Sequence, residues 1–396
     1  MKTPTRHVDC LVIGAGIAGL WTRVSLERAG YSVLTIERSG AGDGQSIASQ
    51  GILHRGLKYQ LSPAAAKAAS ELGAASKVWD DCLSGRGEID LRGVQTLAER
   101  MHMWAPPGGV GGLLAKVTAG MATLTMTSAA ERLDASRWPR CFEGADPATA
   151  VYEVVERCVD VASLLGVMLH AGQSPLARGV AVSIAADADG ATVVLADGGS
   201  VRASCVVACA GGGNAEIAGM VGLRAESVMQ TRPLKMVAMR GAPFELNGHC
   251  IQPMSDKPRL TVTTTGGECD RYWWLGGGLA EDGVSRTDAD QVAAARDAVR
   301  ACVPWADLKQ ASFSVYSIDR AEGRTAEGKR PDGPVVLEHG RVLLAWPTKL
   351  ALAPTLATEV VRRIAEMGVA RSGANAGEVA CGVAQSPWLA GGVRWS

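Results

Sequence analysis

Residues 8–38 read VDCLVIGAGIAGLWTRVSLERAGYSVLTIER, and this stretch decides the fold. Val8–Ile13 is an apolar run that ends in glycines, the pattern of a parallel strand buried on both faces. Gly14-Ala15-Gly16-Ile17-Ala18-Gly19 follows as a complete GxGxxG. Ile17, Leu20, Trp21, Val24 and Leu26 then recur at roughly the helical period, and Gly30 closes that helix. Ser32–Ile36 is a second strand, ended by Glu37. Each position has a physical job in dinucleotide binding. Gly14 permits the tight turn, Gly16 lets backbone N–H groups reach a pyrophosphate at the positive helix end, and Gly19 lets helix and strand pack closely. Glu37 stands roughly 20 residues on, where an acid bonds ribose hydroxyls. GxGxxG alone is weak, because Gly-rich turns are common; strand, glycines, helix, strand and acid in this order are specific.

The 396 residues suffice for two domains, or for one large domain with an inserted second. Hydrophobic residues make up 47%, ample for a core. Lys plus Arg and Asp plus Glu both total 40, so no net field points to nucleic acid or an anionic membrane, and a tRNA-modifying role is disfavoured. The first strand begins close to Met1, which leaves no room for a signal peptide. The apolar stretch 342–357 is interrupted by Pro347, Lys349 and Pro354, against a transmembrane helix. None of the ten cysteines forms a CxxC, so zinc-ribbon, iron–sulfur and thioredoxin-type readings lack support and no metal is expected. Cys205 and Cys209 are expected as reduced core thiols, and the location as cytoplasmic.

Beyond Glu37, residues 40–59 read GAGDGQSIASQGILHRGLKY, combining small residues, amides, hydroxyls, one histidine and two cations. Small residues let backbone lie against a flat or phosphorylated ligand. Ser49–Tyr59 resembles the SxxxHGGLxY-like element of the D-amino-acid oxidase superfamily of FAD oxidoreductases, in particular its glycerol-3-phosphate and 2-hydroxyacid members; Arg55 stands where those relatives have a small residue. The resemblance implies that this segment runs along the pyrophosphate towards the isoalloxazine, with His54 and Lys58 at the flavin end. Cys205–Asn214, CVVACAGGGN, is an apolar strand running into a triple glycine and a helix, and it resembles the "VVxAxG" strand that returns to the FAD domain. Near the end, Arg341–Ala357 (RVLLAWPTKLALAPTLA) resembles the "GxxLAP" closure over the flavin pyrimidine, with Lys349 where a glycine is usual. Backbone N–H groups and a helix dipole there would stabilise the charge that reduction puts on the ring.

The implied fold class is α/β: a Rossmann-like FAD-binding domain with a parallel sheet, and a second α+β substrate domain of mixed sheet. The FAD-binding domain is expected at 1–85, 150–228 and 330–372, the substrate domain at 86–149 and 229–329, and a poorly ordered or surface tail at 373–396. Within these, 64–83 is Ala-rich and helix-prone, 92–103 is partly strand, and the glycine loop at 106–112 leads to a helix-like stretch ending near Met126. Further strands are expected at 152–155, 179–185, 192–196, 201–208, 234–240, 259–264, 271–275 and 312–316, and helices at 160–170, 288–302 and 354–367. Asp187–Gly190 and Asp197–Gly199 are hairpin turns. Trp273 and Trp274 read as sheet packing, their side chains on opposite faces, so that one of them has access to the cavity.

The cofactor is expected to be FAD, held by Gly14, Gly16, Ile17, Ala18, Gly19, Glu37, Arg38, Gln45, Ser46, Ser49, Gln50, Gly51, Ala210, Gly211, Gly212, Leu350, Ala351 and Leu352. Oxidising a C–H bond beside an oxygen or nitrogen requires orientation over flavin N5, a base for an alcohol proton, and a counter-charge for an acidic substrate. His54 is the candidate base, with structural histidine and covalent flavin attachment as alternatives. Arg320 and Arg324 precede the turn 329–334 (KRPDGP), where relatives place a carboxylate-binding arginine; a surface pairing of Arg320 with Asp319 or Glu322 is the other reading. Lys349 would serve the reduced flavin or an anionic substrate, or point to solvent. His7, His102, His170, His249 and His339 have no motif around them and read as scattered. The expected substrate is a small acid with an oxidisable C–O or C–N bond, a 2-hydroxyacid, a glycerol-phosphate-like molecule or an amino acid, with oxygen or a quinone as acceptor. An amine oxidase of the glycine or sarcosine oxidase type, a non-catalytic flavin-binding protein and a nicotinamide-dependent dehydrogenase are the rivals. Oligomeric state is left open.

Overall fold

The computed structural model describes residues 5–56, 66–107, 130–251, 257–389 and 394–396. Lys58 and Tyr59, the glycines of the 106–112 loop and the helix-like stretch to Met126 lie outside the described residues. The opening unit folds as its pattern dictates: strand Arg6–Ile13, helix Ile17–Arg28, strand Val33–Glu37, the strands paired in parallel. Val8–Ile13 is buried throughout because helices and loops cover both faces, which is why its sequence is a run and not an alternation.

These strands belong to an eight-stranded sheet in the order Ala181–Ala186, Ala191–Leu195, Ser200–Ala208, Arg6–Ile13, Val33–Glu37, Leu176–Arg178. Ser200–Ala208 forks: its first half pairs with Ala191–Leu195 and its end pairs in parallel with Val342–Trp346, which carries Val335–His339 outside it. Residues far apart in sequence therefore meet at the carboxyl ends of adjacent parallel strands, where Gly14, Cys209 and Trp346 open a crevice.

A second eight-stranded mixed sheet runs Ser312–Gly323, Met229–Arg240, Tyr272–Gly276, Leu260–Thr265, Gly248–Cys250, Met101–Ala105, Ala150–Val154, Ala130–Leu133. Helix Asp288–Cys302 covers it and is capped by Thr287, whose Oγ1 accepts from the Asp290 N–H. Ala295, Val299 and Cys302 of that helix meet Val237, Trp273 and Phe313 of the sheet in one apolar cluster. Trp273 and Trp274 are both buried, and neither lines the crevice. The strand at 312–323 runs well past the expected end at 316, because it pairs residue for residue with Met229–Arg240 as far as Met229↔Gly323. A small third sheet joins Ile52–Leu53, Arg157–Val159 and Thr96–Ala98 in that order.

The segment after 372 lies largely on the surface, one of the two states expected of it, and it is tied to the body of the protein. Asn375 Oδ1 accepts from the Val33 N–H at 2.6 Å, Val379 and Val383 bridge to Leu176 and Ala41, and the Trp388 ring lies 3.5 Å from that of Trp274. Its small residues are what let the chain lie this close; a Cβ at Gly377 would meet Pro175 at 2.7 Å. Among the described residues no helix is long and apolar enough to cross a membrane.

Candidate active site

The crevice is a cavity of about 1020 Å³, at the large end for small-molecule sites. Its floor is the glycine turn. Gly14 has φ 103°, and a Cβ there would meet Cys209 O at 2.8 Å. A Cβ on Gly16 would meet Ser46 Oγ at 3.1 Å. The Ile17 N–H at the helix start donates to Ser46 Oγ at 3.0 Å, so the positive helix end opens on the cavity beside Ser46. Gly19 does not line the cavity: a Cβ on it would lie 1.9 Å from Gly14 O, so its glycine serves the contact of helix with turn.

Glu37 is buried at the end of its strand, with Oε2 accepting from the Ala15 N–H at 2.7 Å and Oε1 from the Ser39 N–H at 3.0 Å. Arg38, Gln45, Ser49, Gln50 and Gly51 continue the lining, and Ala210, Gly211 and Gly212 face them from the second βα junction. Gln50 ties this loop to the second sheet through Nε2, which donates to Trp274 O at 2.8 Å. A ligand rich in acceptors and donors fits this wall on two observations. The glycines leave backbone where a Cβ would intrude, and the buried hydroxyl of Ser49 has no hydrogen-bond partner among the described residues. Both match what the pyrophosphate, ribose and ring of a flavin dinucleotide require.

The far end is closed by Trp346–Leu350, while Ala351 and Leu352 are buried behind the lining. Lys349 has φ −142°, ordinary extended backbone, and it is Thr348 that takes φ 65°. The left-handed position therefore lies one residue earlier, held where Thr348 Oγ1 donates to Gly333 O at 2.9 Å, and a lysine at 349 costs nothing in backbone strain.

His54 lies on the cavity wall just after Leu53, half-buried. Its Nδ1 is 3.3 Å from Oε1 of Glu156, a buried carboxylate in the short link between Ala150–Val154 and Arg157–Val159. His249, on strand Gly248–Cys250, also lines the cavity and places Nε2 3.4 Å from Glu156 Oε2. His249 thus belongs with the site and not among the scattered histidines. No local pattern announced Glu156 or His249, because each reaches the site through strand pairing. Burial raises the Glu156 carboxyl, but the two imidazoles outweigh it and hold the group well below the usual carboxylate range. The donor atoms of the three residues lie within 4.8 Å of one another.

The two candidate arginines part company. Arg320 lines the cavity, its NH1 3.6 Å from Glu281 and its Nε donating to Arg232 O at 3.3 Å. Burial, with the neighbouring Arg232 guanidinium, lowers Arg320 to about 10. Glu322 is engaged by Arg232 instead. Arg324 is exposed and outside the lining. Lys257, Arg330 and Lys349 join Arg320 on the wall, four cations against the acids Glu281, Asp319 and Asp332, and Lys257 Nζ donates to Glu281 Oε2 at 2.5 Å.

Residues 9–346 match the family model described as FAD dependent oxidoreductase, DAO. The chain is 37% identical over 364 residues to a probable FAD-dependent oxidoreductase of Pseudomonas aeruginosa, covering 91% of this chain and 92% of that one. The crystal structure of an FAD-dependent oxidoreductase from the same organism superimposes with a TM-score of 0.81 at 34% identity, covering 98% of both chains. Glycine oxidase from Geobacillus kaustophilus (TM-score 0.65, 18% identity, 93% and 99% covered) shares the fold. So does the L-alpha-glycerophosphate oxidase of Mycoplasma pneumoniae, solved with FAD bound (0.64, 14%, 91% and 95%).

Proposed function

Since the chain belongs to the DAO family of FAD-dependent oxidoreductases, we propose that it oxidises the C–O bond of a small acidic substrate, a 2-hydroxyacid or a glycerol-phosphate-like alcohol. The observation that carries this reading is His54 on the cavity wall with its Nδ1 turned to the buried carboxylate of Glu156. An alcohol must lose its hydroxyl proton as its carbon is oxidised, and an imidazole backed by a carboxylate is suited to take it near neutral pH. An amine with a free lone pair has no such need, which places amine oxidation of the glycine or sarcosine oxidase type second. FAD, when bound, accepts the substrate hydride at N5. The Gly14–Gly16 turn with the first helix would hold its diphosphate, Glu37 its ribose, and Gly51, Lys349 and Leu350 its ring end. Arg320, aided by Lys257 and Lys349, would hold the substrate acid group away from water and fix the carbon to be oxidised.

The test is anaerobic addition of hydroxyacids, glycerol 3-phosphate and amino acids to the purified flavoprotein, read as loss of flavin absorbance. Bleaching by a hydroxyl substrate, lost by at least a hundredfold in rate in His54→Ala with FAD still bound, is expected. Bleaching by amino acids alone would move the reading to amine oxidation. No bleaching across the panel would favour a flavin-binding protein without turnover.

A further inference from the structure

We propose that Glu156 is a positioning residue that serves two imidazoles at once, so that His54, Glu156 and His249 form one proton-holding unit on the cavity wall. The catalytic half of this rests on His54 as the base; the geometric half does not. An ionised carboxylate only accepts hydrogen bonds, so each ring nitrogen that faces it must carry the proton. His54 Nδ1 stands 3.3 and 3.4 Å from the two oxygens of Glu156, and His249 Nε2 stands 3.4 Å from Oε2. In the neutral rings this fixes opposite tautomers: His54 is protonated on Nδ1 and carries its lone pair on Nε2, and His249 is protonated on Nε2. His249 Nδ1 then accepts from Thr261, whose Oγ1 is 3.0 Å away. The rings lie 24° from parallel with centroids 6.0 Å apart.

Among the described residues, the neighbouring Arg55 and Arg157 side chains are engaged elsewhere. The Arg55 N–H reaches Glu156 Oε1 at 3.4 Å, but its guanidinium turns to Asp80. Arg157, next in sequence, pairs with Asp80 and Glu99. Glu156 is thus matched to the two histidines that reach the cavity, and the carboxyl stays ionised against its burial.

The consequence is chemical. Oxidation of a substrate alcohol to a carbonyl removes a hydride, with two electrons, from its carbon, for which FAD when bound would be the acceptor, and a proton from its oxygen. That proton goes to Nε2 of His54, leaving an imidazolium whose Nδ1–H faces the carboxylate at low dielectric. The charge needs no water to stabilise it.

The experiment is nitrogen NMR of the FAD-bound enzyme labelled with 15N-histidine, with signals assigned by His54→Ala and His249→Ala. Expected are a protonated, pyrrole-type Nδ1 on His54 and a pyrrole-type Nε2 on His249. In Glu156→Gln the amide oxygen accepts from one ring while its NH2 faces the other, so one ring must switch tautomer; Glu156→Asp should keep both. The wild-type spectrum decides the tautomers even if the variants fail to fold. Either ring in the opposite tautomer, or both unchanged in Glu156→Gln, would overturn the proposal. So would stoichiometric zinc in the isolated enzyme with both facing nitrogens unprotonated, which would make the trio a metal site. If the tautomers hold but His54→Ala still bleaches at the wild-type rate, the reading of His54 as base fails and the positioning by Glu156 stands.

Discussion

Gly19→Ala isolates the contact on which the nucleotide turn depends. A Cβ at this position would sit 1.9 Å from Gly14 O and 3.4 Å from the Cys209 side chain, against the roughly 3.5 Å at which non-bonded atoms rest. The carbonyl is backbone and cannot swing aside as a flexible side chain would. The first helix must therefore lift from its strand by more than a full bond length, carrying the N–H of Ile17 with it. Overpacking of this kind costs about 1–3 kcal/mol, and the gain of about 1 kcal/mol from replacing glycine by alanine within a helix offsets only part. Binding suffers further, because the displaced helix end is the one that opens on the cavity. A loss of 1.4 kcal/mol or more corresponds to at least tenfold weaker FAD binding. Gly73→Ala provides the contrast, since Gly73 lies exposed in helix Ala66–Leu83 with nothing within 4 Å of an added Cβ. That variant should gain up to about 1 kcal/mol and bind FAD unchanged. The assay is thermal unfolding of the two apoproteins, together with FAD titration followed by flavin fluorescence. A Gly19→Ala protein that unfolds at the wild-type temperature and binds FAD at wild-type strength would refute the close-packing argument.

Arg320→Ala and Arg324→Ala should behave differently despite their adjacency in sequence. Loss of Arg320 is expected to raise KM for an acidic substrate by tenfold or more, and loss of Arg324 to leave it within twofold; equal effects in steady-state kinetics would remove Arg320 from the substrate site. Glu359 gives a pH test of the last helix. Hydrogen bonds from Arg362, with Arg363 beside it, lower its carboxyl to about 2, from an ordinary 4.5. A lowered folded-state pKa contributes stability that is present above 4.5 and lost as pH falls towards 2. With the pair partly exposed, Glu359→Gln should cost about 0.5–1 kcal/mol at pH 7, and the difference in Tm should shrink below pH 4.5. A gap that stays constant down to pH 3.5 would contradict this.

The nucleotide-binding half was legible because its determinants are local. Within residues 8–38 the glycines, the helical period and the terminal acid all fall inside one strand–helix–strand unit, and backbone sterics alone demand them. Helix Asp288–Cys302 was equally readable, since its cap and its apolar face lie in one stretch. The Ser49–Tyr59 and Cys205–Asn214 elements added the cofactor and the family, which the comparisons bear out. Lys349 was read as standing in a glycine position, but only the backbone showed that the left-handed residue is Thr348.

What the sequence by itself determined is therefore the strand–helix–strand glycine unit, the α/β class and a histidine in the segment that follows it. Tertiary structure decided which partners that histidine has and which arginine reaches the cavity. Glu156 lies 102 positions from His54 and meets it because Ile52–Leu53 pairs with Arg157–Val159. His249 arrives through the parallel pairing of Gly248–Cys250 with Met101–Ala105. Arg320 is carried to the wall, and Arg324 left outside, by a strand that its partner extends to Gly323. Strand register is a choice among distant segments, fixed by which faces can be buried together, and a single polar residue leaves no periodic trace of it.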